Sequence, residues 1–155
     1  MANHPSISTV EQDALRTWLK LLGTSNLIRK TLQSRLSAGY GVSLSRFDVL
    51  ANLYRAPETG VRLSDLSKQL MVSNGNVTQV MTPLIKEGYV ERTPCAQDAR
   101  AATARLTKEG RTLFEKMATD HASWVGEIFA NLSPDDHKQV ANLLDKLDQT
   151  KLNQD

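Results

Sequence analysis

Residues 61–111 read VRLSDLSKQLMVSNGNVTQVMTPLIKEGYVERTPCAQDARAATARLTKEGR, and this stretch decides the fold class. Leu63, Leu66 and Leu70 share one helical face, with Asp65, Ser67, Lys68 and Gln69 around it, so a short amphipathic helix is predicted from about Leu63 to Leu70. Met71-Val72 makes a tight turn. A second helix starts at Ser73, whose hydroxyl can accept from an otherwise unpaired backbone N–H. Val77, Val80, Met81, Leu84 and Ile85 form its apolar stripe, and Gly88 sits where it should stop. Tyr89–Thr93 alternates like a strand, Thr103–Leu106 is its return partner, and 94–100 is the loop between them. Helix, turn, helix and hairpin in that order predict a helix-turn-helix followed by a β-wing.

The second helix carries Ser73, Asn74, Asn76, Thr78 and Gln79 in its first two turns. Short polar side chains with donors and acceptors are what reading major-groove base edges requires. The alternative is a helical pair used only for protein contacts. A polar-faced helix followed at once by a basic hairpin argues for duplex DNA.

The rest of the chain extends the helical pattern. Thr9 with Gln12 resembles a capping box, opening a long helix from about Val10 to Ser37 that Gly39-Tyr40-Gly41 breaks. Ser43 or Ser45 can cap the next helix, to about Tyr54, and Ala56–Gly60 is a loop. Thr107 caps a fifth helix to about Asn131. Ser133-Pro134 opens a sixth, ending near Leu147 or Lys151. Residues 1–9 read as loosely ordered.

The terminal helices carry more apolar surface than one small lobe covers. Leu15, Leu19, Leu22, Ile28, Leu32 and Leu36 spread around the first helix, and Val140, Leu143, Leu144 and Leu147 line the sixth. We therefore expect one domain over 1–155. Its winged helix-turn-helix would cover about 43–111, and helices over about 10–37 and 112–151 would dimerise it. A two-fold dimer also matches a palindromic operator.

Length and charge set looser bounds. A chain of 155 residues can bury a real core. No run of eighteen apolar residues exists, and the N-terminus lacks a basic region followed by an apolar one, so a cytoplasmic protein is expected. The lone Cys95 excludes an intramolecular disulfide. Net charge is only +2, but residues 62–111 hold eight Lys/Arg against five Asp/Glu, and 112–155 hold four against eight. The basic part includes the predicted reader, which gives modest support to a phosphate-facing surface. His4, His121 and His137 fit no metal-ligand spacing, no Gly-rich phosphate loop follows a strand, and no nucleophile–base pairing is evident. Neither an enzyme, a metal nor a cofactor is expected.

Asp98-Ala99-Arg100 followed by Leu106-Thr107-Lys108-Glu109-Gly110 resembles the D-x-R wing signature and L-T-x-x-G of the MarR family of bacterial transcription regulators. LSDLSKQLMVSNGNVTQVM and LIKEGYVER are similar to the same family's helix-turn-helix and the lead into its first wing strand, and the likeness covers nearly the whole chain. The resemblance implies a homodimer of triangular outline. It also implies repression of nearby genes, relieved by a small molecule near the junction of reading lobe and dimer helices. Carried over by position, Asp98 would organise the wing by pairing with an Arg such as Arg92, and Arg100 would reach phosphate or the minor groove. Three departures stand out. Ala99 replaces a frequent second Arg, Met71 takes a turn position where Gly is common, and Pro83 falls inside the reading helix. Proline lacks the N–H that would bond the Gln79 carbonyl, so a bend or early loosening is expected there.

On the first helix, Trp18, Leu22, Ser25 and Arg29 fall on one stripe. An aromatic, an aliphatic, a hydroxyl and a cation on one face could line a pocket for an aromatic carboxylate, or its coenzyme A thioester, with Arg29 on the acid. In the family the second helix packs beside this face, which would add Arg46 and Phe47, and His121 and Trp124 on the fifth helix would complete the wall. The competing reading makes Trp18 and Leu22 plain core. SNGNVT is similar to members that control aromatic-acid catabolism. Cys95 in the wing offers a further alternative, a redox switch activated by Arg92 and Arg100.

Overall fold

The computed structural model describes residues 6–70, 74–98, 101–147 and 149–152. Its elements are α1 (Thr9–Tyr40), α2 (Leu44–Arg55), β1 (Val61–Arg62), α3 (Leu63–Gln69), α4 (Asn74–Lys86), β2 (Val90–Thr93), β3 (Thr103–Leu106), α5 (Lys108–Ile128), α6 (Pro134–Asp145) and α7 (Gln149–Leu152). The fold is mainly α with a small β-wing, as the periodicity predicts. The chain forms two compact units, Met1–His121 and Ala122–Asp155.

In the first unit the core gathers around the helix-turn-helix. Leu36 of α1, Leu50 of α2, Leu66 of α3, Met81 and Leu84 of α4 and Met117 of α5 are fully buried. Each such side chain contributes roughly 1.5–3 kcal/mol by leaving water. Phe114 packs between Phe47 (centroids 5.5 Å apart) and Tyr54 (4.8 Å), tying α5 to α2.

Two predicted boundaries shift, both at the ends of α1. Ser8, not Thr9, caps α1. Its hydroxyl accepts from the Glu11 N–H at 3.3 Å, and the Glu11 carboxylate accepts from the Ser8 N–H at 2.7 Å. The end of α1 moves from Ser37 to Tyr40, because the Tyr40 hydroxyl donates to the Asp120 carboxylate of α5 and holds the last turn. Ser43 caps α2, and Thr107 accepts from the Gly110 N–H at 3.0 Å at the start of α5.

The wing has a third strand. The sheet order is β1-β3-β2, with Val90 opposite Leu106 and Val61 opposite Ala104, both pairings antiparallel. The predicted pair is therefore correct but incomplete. Gly60, just before β1, takes φ 92, and a β-carbon there would stand 2.7 Å from the Ala104 carbonyl oxygen, so only glycine lets β1 approach.

The second unit holds the end of α5, then α6 and α7. Ser133 and Asp136 form a capping box, with Pro134 in the first turn. No residue of α6 is buried, and Leu143 is 60% exposed. Seven helices stand among the described residues against six predicted. The addition is α7, four residues long.

Candidate nucleic-acid interface and adjoining cleft

Burial decides which side of α4 is free. Val77, Met81 and Leu84 are 1% exposed and face the core. That leaves Gly75, Asn76, Thr78, Gln79 and Thr82 exposed. The Thr82 hydroxyl bonds back to the Thr78 carbonyl at 2.8 Å. Asn76, Thr78 and Gln79 are thus on the accessible surface of the helix, two amides and a hydroxyl that can donate and accept. The Met71-Val72 turn, Ser73, the Asn74 side chain, Ala99 and Arg100 lie outside the described residues. Pro83 does not cut α4 short, which stays helical to Lys86. Buried Met81 and Leu84 on either side of the proline hold that turn against the core.

On the wing, Arg92 and Asp98 are both exposed. Arg92 borders a groove of about 190 Å³ with Thr78, Met81, Thr82 and Ile85 of α4, so the reading helix and β2 share one edge. The Asp98 carbonyl accepts from the Ala101 N–H at 3.0 Å, turning the wing loop back toward β3. An ion pair that sequence reasoning missed crosses the wing: Arg105 to Glu91 at 2.8 Å, directly opposite in the β2–β3 register. Such an exposed cross-strand pair contributes about 0.2–1 kcal/mol. Cys95 is a free, part-exposed thiol in the wing loop. Among the described residues no cluster of His, Cys, Asp and Glu could hold a metal, and no helix is long and apolar enough to cross a membrane.

The residues proposed to hold a ligand separate into groups. Trp18 is 53% exposed on α1, and Leu22 and Ser25 are exposed on the same helix. Phe47 is in the core, with the His121 ring stacked on it at 4.5 Å. Arg46 reaches Glu87 at 3.9 Å. Trp124, part-exposed, belongs to the second unit. Arg29 instead lines a cleft of about 360 Å³ with Ser45, Asp48 and Val49 of α2, Leu70, and Asn76, Val77, Gln79 and Val80 of α4. Trp18 and Leu22 do not line it.

Asp48 and Ser45 are cleft residues that the sequence reading overlooked. A lone acid in the apolar run Phe47-Asp48-Val49-Leu50 was the available signal. Burial pushes the Asp48 carboxyl above its ordinary value, while the charges of Arg29, His121 and Arg55 pull the other way. Burial likewise lowers His121, and Asp48 opposes that shift.

The MarR family model matches residues 42–102, from the start of α2 to the wing. The transcriptional regulator YkoM of Bacillus subtilis is 34% identical over 113 residues, covering 72% of this chain and 71% of its own. The chain belongs to the MarR family. AbsC, a MarR family regulator of Streptomyces coelicolor, superimposes with a TM-score of 0.79 at 26% identity, covering 97% of this chain and all of its own. FabT of Streptococcus pneumoniae, solved in complex with DNA, gives 0.71 at 26% identity, over 90% and 98% of the two chains. These MarR relatives are regulators of transcription and not enzymes, in line with the sequence reading.

Proposed function

We propose that this MarR protein binds a pseudo-palindromic operator as a homodimer, represses transcription there, and is released by a small aromatic carboxylate or its coenzyme A thioester. Residues 1–155 act as one regulator in the cytoplasm, with about 43–111 reading DNA and the helices over 10–37 and 112–151 dimerising. The observation that carries the DNA reading is the exposed row Asn76, Thr78 and Gln79 on a helix whose opposite face is the lobe's core. Ser73 and Asn74 continue that row in sequence. Arg92, Asp98 and Arg100 supply the wing, Arg100 as its phosphate or minor-groove contact and Asp98 as its organiser.

The cleft supports the release half of the proposal. Its roughly 360 Å³ sits at the small end of ordinary ligand cavities, about 300–1,000 Å³, which suits a single-ring acid or the acyl end of a thioester. Arg29 is its cation, and its planar fork can hold a carboxylate. Trp18, Leu22 and Ser25 extend the same helix face, and Arg46, Phe47, His121 and Trp124 are the further candidates. A ligand there loosens the operator only if it favours a spacing of the two reading helices that DNA does not.

The test is fluorescence anisotropy on the intergenic DNA beside the protein's own gene across a salt series. A reading dimer gives a steep fall of affinity with salt and outcompetes bulk DNA. Equal affinity for operator and random duplex, or none at low salt, overturns the proposal.

A further inference from the structure

We propose that the cleft beside the reading helix selects an acid that also carries a hydrogen-bond donor, and that Asp48 is the residue that demands the donor. This rests on the reading that the protein responds to a small acid. It adds which acids are accepted, and why.

Arg29 and Asp48 line one cleft from two different helices, α1 and α2. Among the described residues no ion pair joins them, and no protein donor bonds the Asp48 carboxylate. The Asp48 backbone carbonyl is the atom engaged, by the Asn52 amide at 2.8 Å. The side chain is nonetheless half-buried, and it feels Arg29 electrostatically. The cation and the carboxylate are close enough to act on one small molecule, yet neither satisfies the other.

Such a site treats two acids differently. A plain carboxylate drawn to Arg29 brings its charge beside half-buried Asp48, and like charges at short range repel. An acid with a hydroxyl or amine on its ring turns that penalty into a charge-assisted hydrogen bond, roughly twice the strength of a neutral one. Val49 and Val80 give the ring apolar walls, while the amides of Asn76 and Gln79 border the same space. Asp48 therefore works as a filter: it rejects the bare anion and accepts the substituted one.

The experiment titrates benzoate and its three monohydroxy isomers into DNA-free protein by calorimetry, using wild type, Asp48→Leu and Arg29→Ala. Wild type should bind at least one hydroxy isomer about tenfold or more tighter than benzoate, since a site built to bond a hydroxyl rejects the analogue lacking it. Asp48→Leu should bring that ratio to about twofold or less, and Arg29→Ala should weaken all four acids. Should Asp48→Leu melt early, Asp48→Asn keeps the size without the charge and should tighten benzoate. Equal binding of benzoate and its hydroxy isomers, a ratio that survives loss of the carboxylate, or no binding at millimolar concentration overturns the inference. Release from the operator, measured in parallel, separates the two ideas. Asp48-dependent binding without release removes the ligand-response reading alone. Release by an acid whose affinity ignores Asp48 removes the filter alone.

Discussion

Gly110 lies against the carbonyl of Tyr89 so closely that a β-carbon on it would stand 2.0 Å from that oxygen. The same oxygen accepts from the Thr107 N–H at 3.1 Å, and the Thr107 hydroxyl donates to the Gly88 carbonyl at 2.6 Å. The first turn of α5 is thus locked onto the chain entering the wing, which gives the Leu106–Gly110 motif a packing reason. Gly110→Ala should force the two apart and cost roughly 1–3 kcal/mol or more. Thermal melts of the two proteins check this. A melting point unchanged by the extra methyl would show that the contact yields freely.

Base reading and phosphate contact should separate by substitution. Asn76→Ala or Gln79→Ala should cost about 1–3 kcal/mol for each lost base contact and relax sequence preference. Arg100→Ala should weaken all sequences alike and flatten the salt slope. Anisotropy titrations on operator and scrambled duplex measure both. An Arg100→Ala protein with normal affinity and slope would remove that side chain from the wing contact.

The proposed dimer gives the exposed apolar residues of the terminal helices a role. Leu15, Trp18, Leu19 and Leu27 of α1 are exposed, as are Val140, Leu143 and Leu144 of α6. Exposed apolar side chains on each of these helices support the proposed self-association. Wild type should sediment at about twice the 17.2 kDa of one chain at micromolar concentration, whereas Leu19→Glu and Leu143→Glu should shift toward the monomer. A monomeric wild type would contradict the dimer.

The His121 ring stacked on Phe47 makes stability depend on pH. Burial holds its pKa below the ordinary 6.5, so the folded state favours the neutral ring. The unfolded chain takes up the proton first, so this contribution is complete above pH 6.5 and is lost as pH falls below it. Asp48, raised by burial, works in the opposite sense and contributes most at low pH. His121→Phe keeps a ring on Phe47 and removes the titration. Between pH 7.5 and 5.5, wild type should lose melting temperature relative to that variant. Parallel curves would mean that His121 is hydrated in the folded state.

What sequence alone could determine here is local. Leu63, Leu66 and Leu70, the Val77–Ile85 stripe and the alternation after Gly88 announce helix, helix and strand, because a side chain's face depends only on its position in a repeat. Ser43, Thr107 and Ser133 were legible as caps for the same reason: the bond they make spans three residues. At the start of α1 the same rule pointed to Thr9, one residue too late, because the carboxylate of Glu11 reaches back to Ser8 instead.

Tertiary structure decided what depends on distant chain. Two residues have no measurable period, so β1 exists only because Ala104 and Thr103 offer a sheet edge that Gly60 lets the chain approach. The stripe Trp18, Leu22, Ser25 and Arg29 correctly shares one helix, but periodicity tells which residues point together and not what they meet. Packing sent Arg29 to α2 and α4, left Trp18 exposed on its own chain, and put Phe47 under His121. Asp48 showed in the sequence only as a lone acid in an apolar run, which does not say what it faces. It became a site residue through burial beside a cation nineteen positions earlier in the chain, and burial is a property of the assembled core.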